Sequence, residues 1–362
     1  METQLVLDEN VIAKLPQGHK VLSAQEYGSS KWTTITACIT VATPDGRTKQ
    51  YFMKCAEGDN GRLMMEGEYA SMTELYNTMP SFVPKPLAWG KYHIETPPTY
   101  FFLCNFIEIS DRLPDPGLLC TNLVELHQKS ASPTGKFGFH VPTCQGKTPQ
   151  RTEWESSWTV FFTKLLSDAM GRDFDVNGTW KELEPIAERT LSHIIPRLLG
   201  PLEADGRRVK PSLIHADLWE GNIASIEGSD EILVFDAGCL YAHHEMEIAN
   251  WRCPYNKIYD KIYSDTYWKL CEKSEPIEDW EDRSRLYNIY YNILYSVNAG
   301  RNGKTVAGKS IRQLAYDAMA YLVDKYAPSP VGSKDASEKD ARSRELDLDA
   351  YFPTGDDNQI NW

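Results

Sequence analysis

The chain has 362 residues, 41% hydrophobic and 25% charged, which is enough for two domains or for one domain of two lobes with real cores. Its 51 Asp and Glu outnumber its 38 Lys and Arg, a formal net charge of −13. Counterion release on a phosphate backbone offers such a chain nothing, so nucleic acid is not an expected partner. The eight cysteines are scattered without a CxxC pair, which argues against a zinc site or a thioredoxin-like motif. The start, METQLVLDENVIAKLP, carries acids where a secretory leader needs a basic region and an apolar core. The richest apolar stretch, Tyr100–Ile107, falls well short of the roughly 20 residues of a membrane span. A reduced, soluble, cytoplasmic protein without a membrane partner is expected.

In chain order, Val21-Leu22 reads as strand and leads to a turn at Tyr27-Gly28-Ser29-Ser30. Trp32–Thr43 and Gln50–Lys54 are rich in β-branched and aromatic residues and flank Pro44-Asp45-Gly46, an antiparallel hairpin signal. Arg62–Tyr76 has helical spacing, with Met65, Tyr69, Met72, Leu75 and Tyr76 on one broad face. Tyr100–Ile107 is a further strand, running into a polar turn at Ser110–Gly117. Helices are then predicted at Leu118–Gln128, Trp154–Ala169 and Trp180–Leu199. Short apolar pieces flank polar sequence between Leu213 and Leu240, and helices return at Glu245–Trp251, Trp280–Leu294 and Ile311–Tyr326. From Ala327 onward the composition is that of a disordered tail.

The strongest chemical signal is SLIHADLWEGNI at Ser212–Ile223, followed by ILVFD at Ile232–Asp236. It is His-x-Asp, an Asn five residues after the Asp, and a short strand ending in Asp. Phosphoryl transfer needs a carboxylate to orient the attacking hydroxyl and accept its proton, and Asp217 is the candidate. It also needs hard oxygen ligands to hold Mg²⁺ against the phosphates of ATP, and Asn222 and Asp236 have that chemistry. Gly221 is expected to let the loop turn tightly, and His215 to brace it by hydrogen bonds. Lys54, at the end of an N-terminal strand, is placed to pair the α- and β-phosphates, held by a helix Glu. Glu68 shares the face of Met72 and Leu75, whereas Glu66 points about 200° away, so Glu68 is the expected partner. Tyr100–Ile107 stands where an interlobe strand enters a hinge. There the Asn105 carbonyl and the Ile107 amide would meet the adenine edge, with Cys104 behind the pocket. A plain buried strand has the same composition, and the hinge role rests on order along the chain.

These residues carry a resemblance. PLAWG at Pro86–Gly90, FGFHVPTCQGKTPQ at Phe137–Gln150, WESSWTVFF, HADLWEGN and FDAGCLYAHHEMEIANWR at Phe235–Arg252 are similar to stretches of the fructosamine kinase (ketosamine 3-kinase) family, in its fungal-type members. The resemblance implies an α+β, two-lobed, protein-kinase-like fold. A small antiparallel-sheet N lobe with one helix would cover residues 1–108, a larger, mostly helical C lobe 109–328, and a tail 329–362. It also implies ATP- and Mg²⁺-dependent phosphorylation of the 3-hydroxyl of a ketoamine sugar, free or on a protein lysine. Trp219 looks like the family's sugar-stacking tryptophan, with a core-packing indole as the other reading. The chain departs from the family pattern at Ala216, where many members have Gly, and at Ala237, where many have Pro. The phosphate loop also lacks the double glycine; the amides of Gly28, Ser29 and Ser30 and the two serine hydroxyls are expected to bind phosphate with less conformational freedom. A kinase for another hydroxylated metabolite, and a nucleotide-binding scaffold without catalysis or a reuse of the fold for non-kinase chemistry, are the rival expectations.

Overall fold

Alternation along three N-terminal strands builds the first layer. The computed structural model describes residues 4–28, 35–110, 112–229, 231–300 and 303–327. β1 (Lys20–Glu26), β2 (Ile35–Ala42) and β3 (Thr48–Glu57) form an antiparallel meander, and β4 (Pro86–Lys91) and β5 (Thr99–Asn105) complete a sheet of order β1-β2-β3-β5-β4. Successive β3 residues serve opposite faces. Tyr51, Met53 and Cys55 join a small core with Val11 and Leu15, contributed by α1 (Glu9–Ala13) and the residues after it. Phe52 and Ala56 belong to the larger core on the other face, covered by α2 (Gly58–Thr78). The predicted N-lobe helix is thus present and extended, and a short second helix accompanies it.

The chain leaves the sheet through β6 (Ile109–Ser110) and becomes mainly helical. α3 (Pro116–Lys129) precedes a small hairpin, β7 (Cys144–Gln145) and β8 (Thr148–Pro149), and then α4 (Trp158–Asn177). α4 starts four residues later than the predicted helix. Glu203, remote in sequence, accepts the Trp158 and Thr159 amides at 2.8 and 3.0 Å and caps the helix there. The predicted Trp180–Leu199 helix is split into α5 (Leu183–Arg189), a π turn at Thr190–Ile194, and α6 (Ile195–Leu199). Pro196 has no amide proton to complete the regular ladder, and the Ile195 amide reaches back to the Thr190 carbonyl.

β9 (Ser212–Ile214) pairs with β12 (Leu240–Ala242), and β10 (Ile223–Ile226) pairs with β11 (Ile232–Val234) and β6. α7 (His244–Ala249), α8 (Lys261–Leu270), α9 (Trp280–Ala299), the hairpin β13 (Thr305–Val306)/β14 (Lys309–Ser310) and α10 (Ile311–Tyr326) follow. α8 was not anticipated, although Asp260 caps it and Tyr263 and Tyr267 bury one face. α9 is buried on nearly every side and forms the axis around which α4, α7 and α10 pack.

Candidate active site

Lys54 lies on β3 opposite Phe102 of β5, with its side chain on the α2 face of the sheet. α2 turns Met65, Met72 and Leu75 into the core, and Glu68 on the same face meets the lysine. Lys54 Nζ donates to Glu68 Oε1 and to Asp236 Oδ1, each at 2.8 Å. Burial works against the ammonium charge, yet the two carboxylates hold its pKa above the ordinary value. Burial, helped by Asp236 and opposed by Lys54, lifts Glu68 to about 7. Glu66 pairs instead with Arg62 on the surface at 2.7 Å. Gly67 has a specific reason to be glycine: a Cβ there would come within 2.6 Å of the Pro142 carbonyl oxygen, where the segment before β7 crosses α2.

The β9 strand ends at Ile214, and His215 opens the loop. Ala216 takes φ 63° and Asp236 φ 61°, left-handed conformations that cost a non-glycine residue about 1–2 kcal/mol. The loop is held from below by Glu247 of α7, whose carboxylate accepts the His215 amide and, at 3.1 Å, the Ala216 amide. His215 Nε2 pairs with the Phe235 carbonyl at 2.9 Å, and its Nδ1 accepts the Asp217 amide at 3.3 Å. Burial depresses the histidine's pKa, so the ring is neutral and each nitrogen has one role.

Both oxygens of the Asp217 carboxylate are engaged. Gln145 Nε2 donates to Oδ1 at 3.2 Å, and Asn222 Nδ2 donates to Oδ2 at 3.3 Å and to the Asp217 carbonyl at 2.8 Å. Burial and the nearby Asp236 charge lift Asp217 to about 7, against the pull of those two donors. The β10–β11 pairing, Ile223 opposite Val234, brings Asn222 beside Phe235 and thus near Asp236; the Phe235 amide donates to the Asn222 carbonyl at 3.1 Å. Asp236 is half exposed, whereas Lys54 and Glu68 are buried.

Gly221 sits in a tight 3₁₀ turn, Glu220–Asn222, closed by the Asn222 amide on the Trp219 carbonyl at 2.9 Å. Its φ lies outside the left-handed region, and a Cβ there would sit 2.3 Å from the Trp219 ring, which lies over it. Trp219 is thus half-buried against its own loop. On β5, between β3 and β4, Cys104 is buried on the face that carries Lys54, and burial pushes its thiol up to about 12. The Asn105 amide donates to the Lys85 carbonyl and the Phe106 amide to the Gln50 carbonyl, bonds that do not use the Asn105 carbonyl or the Ile107 amide. Gly28 has φ +70° and open space around it. Ser29 and Ser30 lie outside the described residues.

Gln145, Glu247, Asn250 and Trp251 were not singled out from sequence. The last two donate to the Leu218 carbonyl at 3.3 and 3.2 Å, next to Asp217. All four fall in the stretches that carry the family resemblance, which was the available signal. His243, His244 and Glu245 also cluster, but His243 is bonded to Tyr287 and Ser274, and Glu245 to Arg283. Those bonds spend two of the three groups a metal would need.

Kinase-like phosphotransferases are the class that this fold and cleft define. Solved structures of that class superpose over most of the chain. A Thermobifida fusca protein provisionally named fructosamine-3-kinase has TM-score 0.63 at 18% identity, covering 88% of this chain and 99% of its own. The aminoglycoside phosphotransferase APH(4)-Ia, in a complex with ADP and hygromycin B, has TM-score 0.57 at 13% identity, covering 89% and 99%. In sequence, residues 11–316 match the fructosamine kinase family, and the chain belongs to it. It is a phosphotransferase that acts on a hydroxyl group. Mouse ketosamine-3-kinase is 28% identical over 291 residues, 75% of this chain and 89% of the relative. A rice (Oryza sativa subsp. japonica) protein-ribulosamine 3-kinase, described as chloroplastic, is 28% identical over 255 residues, 68% of each chain. Among the described residues, no helix is long and apolar enough to cross a membrane.

Proposed function

We propose that the protein uses ATP and Mg²⁺ to phosphorylate the 3-hydroxyl of a ketoamine sugar, of fructosamine or ribulosamine type, free or on a protein lysine. The carrying observation is the bridge from Lys54 to both Glu68 and Asp236, beside an Asp217 whose carboxylate is held by Asn222 and Gln145. The names of the mouse and rice relatives support the ketoamine as acceptor.

Each residue then has a physical task. Lys54 offers its buried ammonium to the α- and β-phosphates, with Glu68 fixing its position. The residues present fit a magnesium ion. Asp236 supplies a half-exposed carboxylate, and Asn222, with its NH₂ spent on Asp217, offers its amide oxygen. When bound, Mg²⁺ neutralises phosphate charge as it develops in transfer. Asp217 orients the acceptor hydroxyl and takes its proton late in transfer, with Gln145 and Asn222 fixing the plane of the carboxylate. The Asn105 carbonyl and the Ile107 amide meet the adenine edge in front of Cys104, Gly28 borders the phosphates, and Trp219 borders the sugar.

The test is ATP consumption over a panel of fructosamines, ribulosamines and simple sugars, with the phosphorylated carbon located by ³¹P-coupled NMR. Transfer to the ketoamine 3-hydroxyl that stops in EDTA is expected. Turnover that survives EDTA, or a preference for a sugar without the amine, would sink the reading.

A further inference from the structure

Outside the cleft, a cavity of about 450 Å³ lies among α8, α9, α10 and the turn after α7, within the size range of small-molecule sites. None of Lys54, Glu68, Asp217, Asn222 or Asp236 lines it. Its walls are unusually flat and apolar in places, with Trp251, Trp268, Trp280, Tyr259 and Tyr321 contributing. Most of its charges are already matched: Arg252 pairs with Glu281 at 2.8 Å, and Lys309 with Asp317 at 2.8 Å.

Arg285 is different. Its side chain is 15% exposed and its guanidinium lies 4.5 Å over the Tyr321 ring, yet its buried Nε has no hydrogen-bond partner. The nearest acid, Asp282, is 3.9 Å away and already accepts from Lys325 at 2.7 Å and Tyr326 at 2.6 Å. Burial and the neighbouring Arg252 both push the Arg285 pKa down. A half-sequestered guanidinium whose Nε makes no hydrogen bond, and whose one close carboxylate already serves two other donors, is costly, and an anion entering the cavity would supply the missing bond. The guanidinium fork suits a carboxylate. A dianionic phosphate would instead meet Asp265, Glu281 and Asp317, which line the same space.

We propose that this cavity binds a small organic anion, a carboxylate carried on a flat apolar body, with Arg285 taking the carboxylate and the tryptophans taking the body. One wall is Trp251, whose indole donates to the Leu218 carbonyl at 3.2 Å, so an occupant would rest on a support of the catalytic loop.

Calorimetric titration of the full chain with indole-3-acetate, and with its uncharged counterpart indole-3-acetamide, tests this. The acetate should bind at one site per chain and about tenfold or more tighter than the amide, and saturating ATP should leave the titration unchanged. Arg285→Gln should erase the preference for the anion, and Arg285→Lys should keep part of it. Trp268→Ala should weaken both probes about tenfold, which tests the site even where Arg285→Gln fails to fold. Absence of binding, equal affinities, competition by ATP, or a Trp268→Ala chain that binds normally would each overturn the proposal.

Discussion

Lys54 meets Glu68 and Asp236 at 2.8 Å, and Arg283 meets Glu245 at 3.0 Å. Both cations are buried, but their surroundings differ. Arg283 also donates to the Pro276 carbonyl at 2.7 Å and the Ser274 carbonyl at 2.6 Å, while the Ser274 amide returns to Glu245 at 2.8 Å. Burial would raise Glu245, yet His243 and Arg283 hold it below the ordinary carboxyl range. Every polar direction around that pair is closed. The Lys54 pair is open at one end, because Asp236 is half exposed to the cleft and Glu68 is lifted to about 7. A closed ion pair is architecture, committed to one state. An open one can exchange a partner, and a phosphate approaching from the cleft is a natural replacement.

The largest effect should come from the open side. Asp217→Asn should lower kcat about 10²–10⁴-fold, the range of a lost general base, with kcat/KM falling in parallel and ATP affinity nearly unchanged. Near-normal kcat, or loss of ATP binding, would remove Asp217 from the role proposed for it. The direct contrast is Arg283→Met against Lys54→Met. Stranding Glu245 should cost about 3–5 kcal/mol in urea unfolding. Lys54→Met should cost less than about 1 kcal/mol, since Glu68 can take a proton, while transfer is severely impaired. Equal losses of stability would erase the distinction between the pairs.

Smaller effects sharpen it. Gln145→Met removes one hydrogen bond to a charged group and should lower kcat about tenfold. Glu68→Gln should weaken transfer more mildly than Lys54→Met, and Glu66→Gln should be silent in a steady-state assay. The reverse order for the two glutamates would assign the lysine's partner wrongly.

The last prediction concerns pH. With Asp217 lifted to about 7, kcat/KM should climb roughly tenfold per unit below that pH and level off above it. Stability has the opposite sign. A carboxyl whose pKa is raised on folding contributes fully below its unfolded value of 3.8, and loses that contribution as pH rises through about 7. Asp217→Asn should therefore gain melting temperature relative to the wild type progressively between about pH 4 and 7, and hold a constant advantage above that. Parallel melting curves across that range would show that the carboxylate is not strained in the free enzyme.

Much of the site is local in sequence, and that part was readable. His215, Asp217 and Asn222 sit in one loop, and Asp236 ends the strand that pairs beside it, so covalent spacing and one hairpin bring them together. Glu68 could be preferred to Glu66 because helical periodicity alone separates their directions. What escaped was set by contacts across long separations. Gln145 reaches Asp217 across 72 positions, and Glu247 reaches the His215 amide across 32. Glu203 joins the Ser157 cap at the start of α4 from 45 positions away. Gly221 was expected for its turn alone, because only the folded loop lays the Trp219 ring over it. Residue type and spacing determined which chemistry this chain carries. Only packing decided which carboxylates lie exposed to the cleft and which are sealed by hydrogen bonds, because burial and partner count depend on neighbours that no local pattern records.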